Sequence, residues 1–449
     1  MRDLLLGIDV GTTWCKAALV APDGSELAHH RVPVPWRAVA TGAEIEPRRL
    51  MESALAAAGG AVDRAPTTCR IIGVGVTSMA ETGALVDAHD DPVAPAIAWH
   101  DARGAEEAAA LARELGEERF SMTTGLPASP LCTLTKYRWL RANGSDAARG
   151  ARWLNVAEWV VHCLGGERLG ELSLASRTGM LDLDRRAPWD EALDWAGAPR
   201  DLLPELAPAG TAAGHVTQAL DEASGAVLCV AGHDHDCSGV GAGAVRDGDV
   251  FDSCGTAEAF VRSVRPSLGR ELRLRAVARG VTVGWHVIPE RQALLGAFES
   301  GLALQRLGRR LGMEDEEARR GLDAGALTVS PLGDGAALLY GHREAVPEGA
   351  DPAELWRAAL EALAARGAAM LETLEELAGP AERIVVTGGG VRNEAARTIK
   401  RAAIGPFERP PVHEAAARGA ALLAGCAAGV FRGVDELPAP KPTRIEGPS

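Results

Sequence analysis

The sequence has 449 residues, of which 47 % are apolar and 4 % are aromatic, and its formal net charge is −14 at pH 7. A chain of this length can form two or three domains, each with an aliphatic core of its own. The acidic balance argues against a nucleic-acid partner or an anionic membrane, because both are bound through clustered positive charge.

The eight cysteines are scattered along the chain, and no two of them form a Cys-x-x-Cys pair. This spacing argues against a disulfide framework and favours the reduced thiols of a cytoplasmic protein. The sequence opens on a strand pattern, so we expect no signal peptide. The stretch 415–431 contains Arg418 and is rich in alanine and glycine, which predicts a tightly packed helix rather than a membrane span.

The N-terminal region reads as a hairpin followed by further strands and a helix. The pattern predicts strands over 4–10, 15–20 and 28–34, a helix over 48–61 and a strand over 71–77.

The first turn, Gly11-Thr12-Thr13, has the composition of a phosphate-binding loop. Glycine lets backbone N–H groups come close to phosphate oxygens, and the two threonines add hydroxyls. Asp9 can hold Mg²⁺ through water, and Lys16 can meet a phosphate as a point charge. Taken alone, the same residues also fit an ordinary hairpin with a solvated aspartate.

A similar hairpin recurs 244 positions later, where Gly255-Thr256 joins a run over 250–254 to a run over 258–264. A repeat at this distance indicates two related domains, whose loops would hold one triphosphate from both sides. A polar turn at 246–249 marks the boundary. The sequence therefore predicts an N-terminal domain over 1–245, a C-terminal domain over 246–435 and a loose tail over 436–449.

Gly388-Gly389-Gly390 follows the apolar run 384–387 and precedes a helix that starts near Glu394. A flat adenine can pack against such a backbone, although a plain turn has the same composition.

Asp234 follows the apolar strand 226–230 and is our candidate for the group that takes a proton from an attacking hydroxyl. Its neighbours His233, His235 and Asp236 leave a transition-metal site as an alternative. Against that alternative, the side chains of an extended segment alternate between its two faces, so neighbouring ones point apart. Helix capping by Asp236 is a further alternative. The small residues over 238–244 predict close helix packing.

Five segments, in this order along the chain, resemble the FGGY carbohydrate kinases, the family of xylulokinase, gluconate kinase and glycerol kinase. They are Gly7-Ile8-Asp9-Val10-Gly11-Thr12-Thr13, Ile97-Ala98-Trp99-His100-Asp101-Ala102-Arg103, Lys136-Tyr137-Arg138-Trp139-Leu140, the stretch 173–190 and Gly232-His233-Asp234. The resemblance covers nearly the whole chain. It implies an α/β fold with two actin-like (ribonuclease H-like) domains, mixed five-stranded sheets flanked by helices, and a cleft between the domains.

The resemblance also implies an activity, the Mg²⁺-dependent transfer of a phosphoryl group from ATP to a hydroxyl of a small sugar, such as a pentulose or hexulose, or of a polyol. It implies Asp234 as the catalytic base and, with Asp9, as a metal neighbour. The substrate-binding residues would be Glu81, Trp99, Asp234 and His235. The nucleotide-binding residues would be Gly11, Thr12, Thr13, Lys16, Gly255, Thr256, Gly388, Gly389, Gly390 and Asn393. The alternative is an actin-like ATPase or nucleotide-binding regulatory protein without sugar kinase activity, which would not need the polar cluster around Glu81.

The sequence also departs from the pattern of the family that it resembles. The Met-His-Gly of xylulokinases is absent, and Ala80 stands where glycerol kinases have an arginine before the glutamate, so xylulose and glycerol are both disfavoured. The segment 339–353 is shorter than in the family. The sequence identifies neither the acceptor nor the oligomeric state, and a homodimer is compatible with it.

Overall fold

The computed structural model describes residues 2–65, 69–144, 146–265, 268–313, 315–341, 346–347, 349–440 and 443–444. The strands are β1 Arg2–Val10, β2 Trp14–Val20, β3 Glu26–Pro33, β4 Arg37–Val39, β5 Gly42–Ile45, β6 Cys69–Ser78, β7 Gly83–Val86, β8 Ala96–Ile97, β9 Arg152–Asn155, β10 Leu169–Glu171, β11 Leu181–Asp182, β12 Ala187–Pro188, β13 Glu205–Ala207, β14 Ala212–His215, β15 Val227–His233, β16 Asp249–Cys254, β17 Ala257–Val264, β18 Val281–Trp285, β19 Gln292–Glu299, β20 Arg383–Thr387, β21 Glu408–Arg409 and β22 Thr443–Arg444. The α-helices are α1 Pro47–Val62, α2 Ala105–Leu111, α3 Glu117–Thr124, α4 Thr133–Asn143, α5 Val156–Cys163, α6 Leu172–Ala175, α7 Asp190–Ala196, α8 Asp234–Ala242, α9 Arg270–Ala278, α10 Gly301–Arg310, α11 Glu316–Ala326, α12 Gly335–Tyr340, α13 Pro352–Ala378, α14 Glu394–Ile404 and α15 Ala415–Ala427.

The chain forms two compact units that interleave in sequence. The first contains residues up to Val245 together with 263–293 and 412–440, and the second contains 246–262, 294–411 and the described residues 443–444. The predicted domain limits of 1–245, 246–435 and 436–449 stay a prediction. Half of the predicted loose tail, at 441–442 and 445–449, lies outside the described residues. Part of the shortened segment, at 342–345 and 348, lies outside them as well.

The first unit is built on a mixed sheet in the order β14-β15-β6-β1-β2-β3. β1 pairs antiparallel with β2 and parallel with β6, and β15 pairs parallel with β6. The predicted count of five strands was wrong for this sheet, because β14 adds antiparallel to the outer side of β15 and makes six strands among the described residues. α1 and α15 both pack against β1. Because helices cover both faces of β1, the sequence of this strand is an almost continuous apolar run.

Glycines let α8, α15 and β1 approach closely. A Cβ added at Gly7, Gly241 or Gly419 would lie under 3.0 Å from backbone of the neighbouring element, a distance that real Cβ atoms essentially never show. The close packing predicted from the small residues over 238–244 is therefore confirmed. Arg418, buried at 2 % exposure, donates from α15 to the carbonyl oxygens of Gly24, Gly241 and Pro438.

A second hydrophobic core in the first unit is formed largely by residues that follow Trp99 in the chain. It packs Phe120 of α3, Tyr137 of α4, Trp153 of β9 and Trp189 at the start of α7. A π-helical turn over Ala112–Gly116 joins α2 to α3. This core anchors α4, and with it Lys136, beneath the candidate site described below.

The second unit repeats the strand pattern of the first. β16 pairs antiparallel with β17 and parallel with β20, as β1 does with β2 and β6. The predicted internal repeat is therefore confirmed. The described strands that lie wholly or mainly in this unit run in the order β19-β17-β16-β20-β21-β22. They number six where five were predicted, since the two-residue β22 adds to β21. The long helix α13 packs against α11, α12 and α14.

None of the helices in the described part of the chain combines the length and the apolar character that crossing a membrane requires. The eight cysteines are free thiols.

Candidate active site

Asp9 lies near the end of β1 and is 3 % exposed. Nζ of Lys16 lies 3.4 Å from Oδ2 of Asp9 and 3.4 Å from Oε2 of Glu414. Burial raises the pKa of Asp9 to about 6, and the Lys16 ammonium acts in the opposite direction. Oδ1 of Asp9 is buried without a hydrogen-bond partner. The sequence pointed to Asp9 and Lys16 but missed Glu414, because no local motif marks a residue almost 400 positions away.

The Gly11-Thr12-Thr13 turn is held by its own backbone and by two tryptophans. The N–H of Gly11 donates to the carbonyl of Trp14 at 3.2 Å. Nε1 of Trp36 donates to the Thr12 carbonyl at 2.6 Å, and Nε1 of Trp99 donates to the Thr12 hydroxyl at 2.8 Å. The structure thus brings Trp99, predicted as a wall of the substrate pocket, directly onto the predicted phosphate loop.

The strand-to-helix junction at Asp234 depends on the glycine two positions before it. Gly232 has φ +104°, and a Cβ there would approach the hydroxyl of Ser173 to 2.6 Å. Ser173 instead accepts the N–H of His233 at 2.9 Å, which fixes the end of β15. α8 then begins at Asp234 with His233 as its N-cap, so Asp236 lies in the first turn and does not cap the helix.

The side chain of Asp234 is partly buried, at 23 % exposure, and its carboxyl group is incompletely paired. Its Oδ1 lies 3.3 Å from Nε2 of His233 but has no hydrogen-bond partner in the structure. Burial raises the pKa of Asp234 to about 7, partly offset by the backbone N–H of His235 and the charge of Lys16 and reinforced by the charge of Glu81. A carboxyl group with this pKa can accept a proton near neutral pH.

The residues after Asp234 have different surroundings. Burial and the nearby Arg177 lower the pKa of His235 to about 4, so its imidazole is neutral at pH 7. Asp236 is 2 % exposed, and its Oδ1 lies 3.7 Å from Nε2 of His286. Burial raises the pKa of Asp236 well above its usual range.

Glu81 has φ +58°, in the left-handed region that non-glycine residues rarely adopt, and strain of this kind is common at functional sites. Nε and Nη2 of Arg177 both lie 2.7 Å from its Oε1, and Nη1 of Arg177 donates to Thr282 at 2.6 Å. Arg177 was missed as a site residue, although it lies inside the quoted stretch 173–190.

Lys136 is fully buried beside this group. Its Nζ donates to the carbonyls of Trp99 and Leu131, each at 2.9 Å. Burial lowers the pKa of Lys136 to about 8, while the carboxylate of Glu81 acts in the opposite direction. Lys136 therefore fixes the backbone at Trp99.

The second unit has a cavity of about 460 Å³ of its own. Five predicted nucleotide-binding residues line it, Gly255, Thr256, Gly389, Gly390 and Asn393.

Not every predicted residue offers a free group to this cavity. Gly388 does not line the cavity. Its φ of +102° lets the chain turn at the end of β20, close to the backbone of Cys254. Oδ1 of Asn393 accepts the N–H groups of Ala395 and Ala396 as the N-cap of α14.

Sequence reasoning missed several residues of the cavity. Trp356 and Asp323 line it, and Nε1 of Trp356 donates to Oδ1 of Asp323 at 2.7 Å. Beneath the Gly255-Thr256 turn, Nζ of Lys400 lies 2.6 Å from carboxylate oxygens of both Asp252 and Glu258. These long-range pairs have no counterpart in local sequence patterns.

Comparison with known proteins identifies the family to which the chain belongs. The model of the N-terminal domain of the FGGY family of carbohydrate kinases matches residues 4–241, and the model of its C-terminal domain matches residues 340–428. The chain belongs to this family. It is a sugar or polyol kinase, a phosphotransferase that uses ATP and an alcohol group as acceptor. This result decides against a regulatory ATPase without kinase activity.

Particular relatives agree with this class. The chain is 31 % identical to a glycerol kinase of Citrifermentans bemidjiense over 96 % of this chain and 91 % of the relative, and 29 % identical to a glycerol kinase of Paenarthrobacter aurescens over 98 % and 92 %. A xylulose kinase structure from Rhodospirillum rubrum superposes with a TM-score of 0.86 at 24 % identity, covering 99 % of this chain and 94 % of that one. These likenesses confirm the predicted fold of two actin-like domains.

Proposed function

We propose that the chain phosphorylates a hydroxyl of a small ketose or polyol, with Asp234 as the base that accepts the hydroxyl proton. The observation that carries this proposal is the carboxyl group of Asp234. Its Oδ1 is buried without a hydrogen-bond partner, and desolvation raises the pKa of the group to about 7. In phosphoryl transfer the protein mainly positions the reactants and neutralises charge, and an aspartate that accepts the substrate proton is a recurring part of that machinery.

The substrate pocket, in this proposal, consists of Glu81, Trp99 and His235. Glu81 is held through Oε1 by Arg177, which fixes the direction in which its carboxylate meets substrate hydroxyls. The neutral imidazole of His235 can donate one hydrogen bond and accept another. Trp99 supplies an apolar face whose position is set by Thr12 and Lys136.

The family's nucleotide substrate is generally used with Mg²⁺, and the first unit offers groups that fit this ion. Oδ1 of Asp9 and Oδ1 of Asp234 are buried carboxylate oxygens without hydrogen-bond partners, and Mg²⁺ prefers such oxygen ligands, often through water. When bound there, the ion would neutralise phosphate charge. We propose that the cavity lined by Gly255, Thr256 and Gly389 holds the nucleotide, whose adenine can pack beside Trp356.

The proposal is tested by measuring ADP release from Mg-ATP with pentuloses, hexuloses and polyols, including glycerol and xylulose, as acceptors. We expect one acceptor class to stimulate ADP release strongly over ATP alone. If no polyhydroxylated acceptor increases the rate, the proposed pocket is wrong.

Replacing Glu81 by alanine is expected to raise KM for the acceptor at least about tenfold and to leave KM for ATP within about twofold. A site built to hydrogen-bond hydroxyls loses much of its discrimination when a partner is removed. Steady-state kinetics with the acceptor found by the screen gives both constants. Glu52, exposed on α1, provides a matched Glu→Ala control. An unchanged acceptor KM in Glu81→Ala removes Glu81 from the pocket.

Filling the second-unit cavity is expected to weaken nucleotide binding alone. Ala396 lines this cavity from α14, so Ala396→Phe should raise KM for ATP at least about tenfold while the acceptor KM stays near that of the parent. Ala402 is exposed on the same helix, and Ala402→Phe is the control. Equal effects of the two substitutions would contradict the assignment of this cavity to the nucleotide.

The rate is expected to rise with pH. Only the deprotonated carboxylate of Asp234 can accept a proton, and burial raises its pKa to about 7, so kcat/KM for the acceptor should increase between pH 5 and pH 8. A cation bound beside Asp9 would favour the ionised form of Asp234 and would move the inflection of the pH profile below pH 7. A profile of kcat/KM that falls over this range would contradict the role of Asp234 as a base.

A further inference from the structure

We propose that His233, Asp234 and His235 form a three-ligand site for a zinc-class transition-metal ion. Occupation of this site would block phosphoryl transfer, and that second step rests on the proposed role of Asp234 as the base. The site shares Oδ1 of Asp234 with the proposed Mg²⁺ position, but its other two ligands are imidazole nitrogens rather than a second carboxylate oxygen.

The chain reaches this arrangement because it changes from strand to helix within three residues. In a strand, His233 and His235 would point to the same face and Asp234 to the other. Here β15 ends at His233 and α8 begins at Asp234, so all three side chains converge. The two imidazole rings meet edge to face with centroids 5.2 Å apart.

The distances suit one ion. Ligand atoms about 2.0–2.1 Å from a tetrahedral zinc ion lie about 3.3 Å from each other. Nε2 of His233 and Oδ1 of Asp234 already lie 3.3 Å apart. One ligand atom from each of the three residues lies within 4.8 Å of the other two, so a swing of the His235 ring completes the set.

The chemical state of the three groups also suits a transition metal. Oδ1 of Asp234 is buried without a hydrogen-bond partner, so an ion there would replace no existing bond. A neutral imidazole has one ring nitrogen with a lone pair that it can donate to an ion. Imidazole nitrogen favours Zn²⁺ and Cu²⁺ over Mg²⁺, which prefers oxygen.

The second unit provides an internal contrast. Asp252, Cys254 and Glu258 also bring three ligand atoms within 4.8 Å of one another. There the ammonium of Lys400 lies 2.6 Å from both carboxylates and supplies the positive charge. At His233-Asp234-His235, no lysine or arginine ion pair with Asp234 is found among the described residues. Three protein ligands with the fourth position open are the arrangement of zinc sites that remain accessible to small molecules.

The test is metal binding by the full chain, freed of metal and measured without ATP or acceptor. Titration with Co²⁺ should give the visible absorption of a four-coordinate ion at one equivalent, and Zn²⁺ should displace it. His233→Gln and His235→Gln should each lower the affinity for Zn²⁺ at least about tenfold. His215, exposed on β14, gives the matched control His215→Gln, which should bind Zn²⁺ as the parent does.

Two outcomes would overturn the proposal. One is the absence of a stoichiometric Co²⁺ spectrum in the parent protein. The other is equal Zn²⁺ affinity in the parent and in both cluster variants, each shown to be folded by its melting temperature. In the kinase assay at saturating Mg²⁺, Zn²⁺ should inhibit the parent and inhibit His233→Gln at least about tenfold less. Because binding is measured without turnover, failure of the metal site and failure of the proposed kinase function give different results.

Discussion

Replacing Asp234 by asparagine is expected to lower kcat by about 10²–10⁴-fold while ATP still binds. The amide keeps the shape of the side chain but cannot accept the hydroxyl proton. The backbone around it should be unaffected, since Gly232 and Ser173 fix the junction without using the Asp234 side chain. The measurement is kcat with the acceptor identified by the screen, together with calorimetry of ATP binding.

Two other aspartates serve as controls for this substitution. Asp9→Asn should raise the Mg²⁺ concentration needed for half-maximal rate, because it changes a group proposed to serve the ion and not the proton. Asp236→Asn tests the next carboxylate along the chain, which is buried beside His286. Activity of Asp234→Asn within a few-fold of the parent would show that the base is elsewhere.

Replacing Gly241 by alanine is expected to destabilise the protein by about 3 kcal/mol or more. A Cβ at this position would lie under 3.0 Å from the backbone of Ala415, so α8 and α15 must separate. Denaturant unfolding followed by circular dichroism measures the effect. Backbone, unlike the end of a flexible side chain, cannot move aside at low cost.

The matched control is Gly59→Ala. Gly59 lies in α1, and an added Cβ there meets nothing within 4 Å. Alanine is favoured over glycine in a helix by about 1 kcal/mol, so this variant should be as stable as the parent or more stable. Equal stability of the two variants would contradict the close approach of α8 and α15.

Local patterns predicted those parts of the fold and site that local chemistry determines. Both Gly-Thr hairpins, the strand before Asp234 and the helix start at Glu394 follow from apolar runs and turn residues, and the structure confirms them. The contacts that complete the site join distant segments. Glu414 with Lys16, and Arg177 with Thr282, are examples that no spacing rule could find.

The interpretation of His233-Asp234-His235 shows a different error. Treating the segment as extended predicted that neighbouring side chains point apart, and this was wrong because the helix starts one residue after the strand ends. Gly232, with φ +104°, is the residue that permits the abrupt change. An apolar run predicts that a strand is present but does not locate its last residue accurately. Here the position of that last residue, His233, determines whether the three side chains converge.

The position of α15 has a consequence for how the protein is made. A ribosome synthesises residues 2–245 long before it reaches Ala415, yet α15 covers one side of β1 and packs against α8. Until then the nascent chain exposes an apolar face, and we expect chaperones to bind it during translation. The Arg418 side chain, bonded to Gly24, Gly241 and Pro438, then closes the first unit as one of its last steps. Premature termination before residue 415 would therefore leave the first unit incomplete and exposed to proteolysis, even though most of its sequence is present.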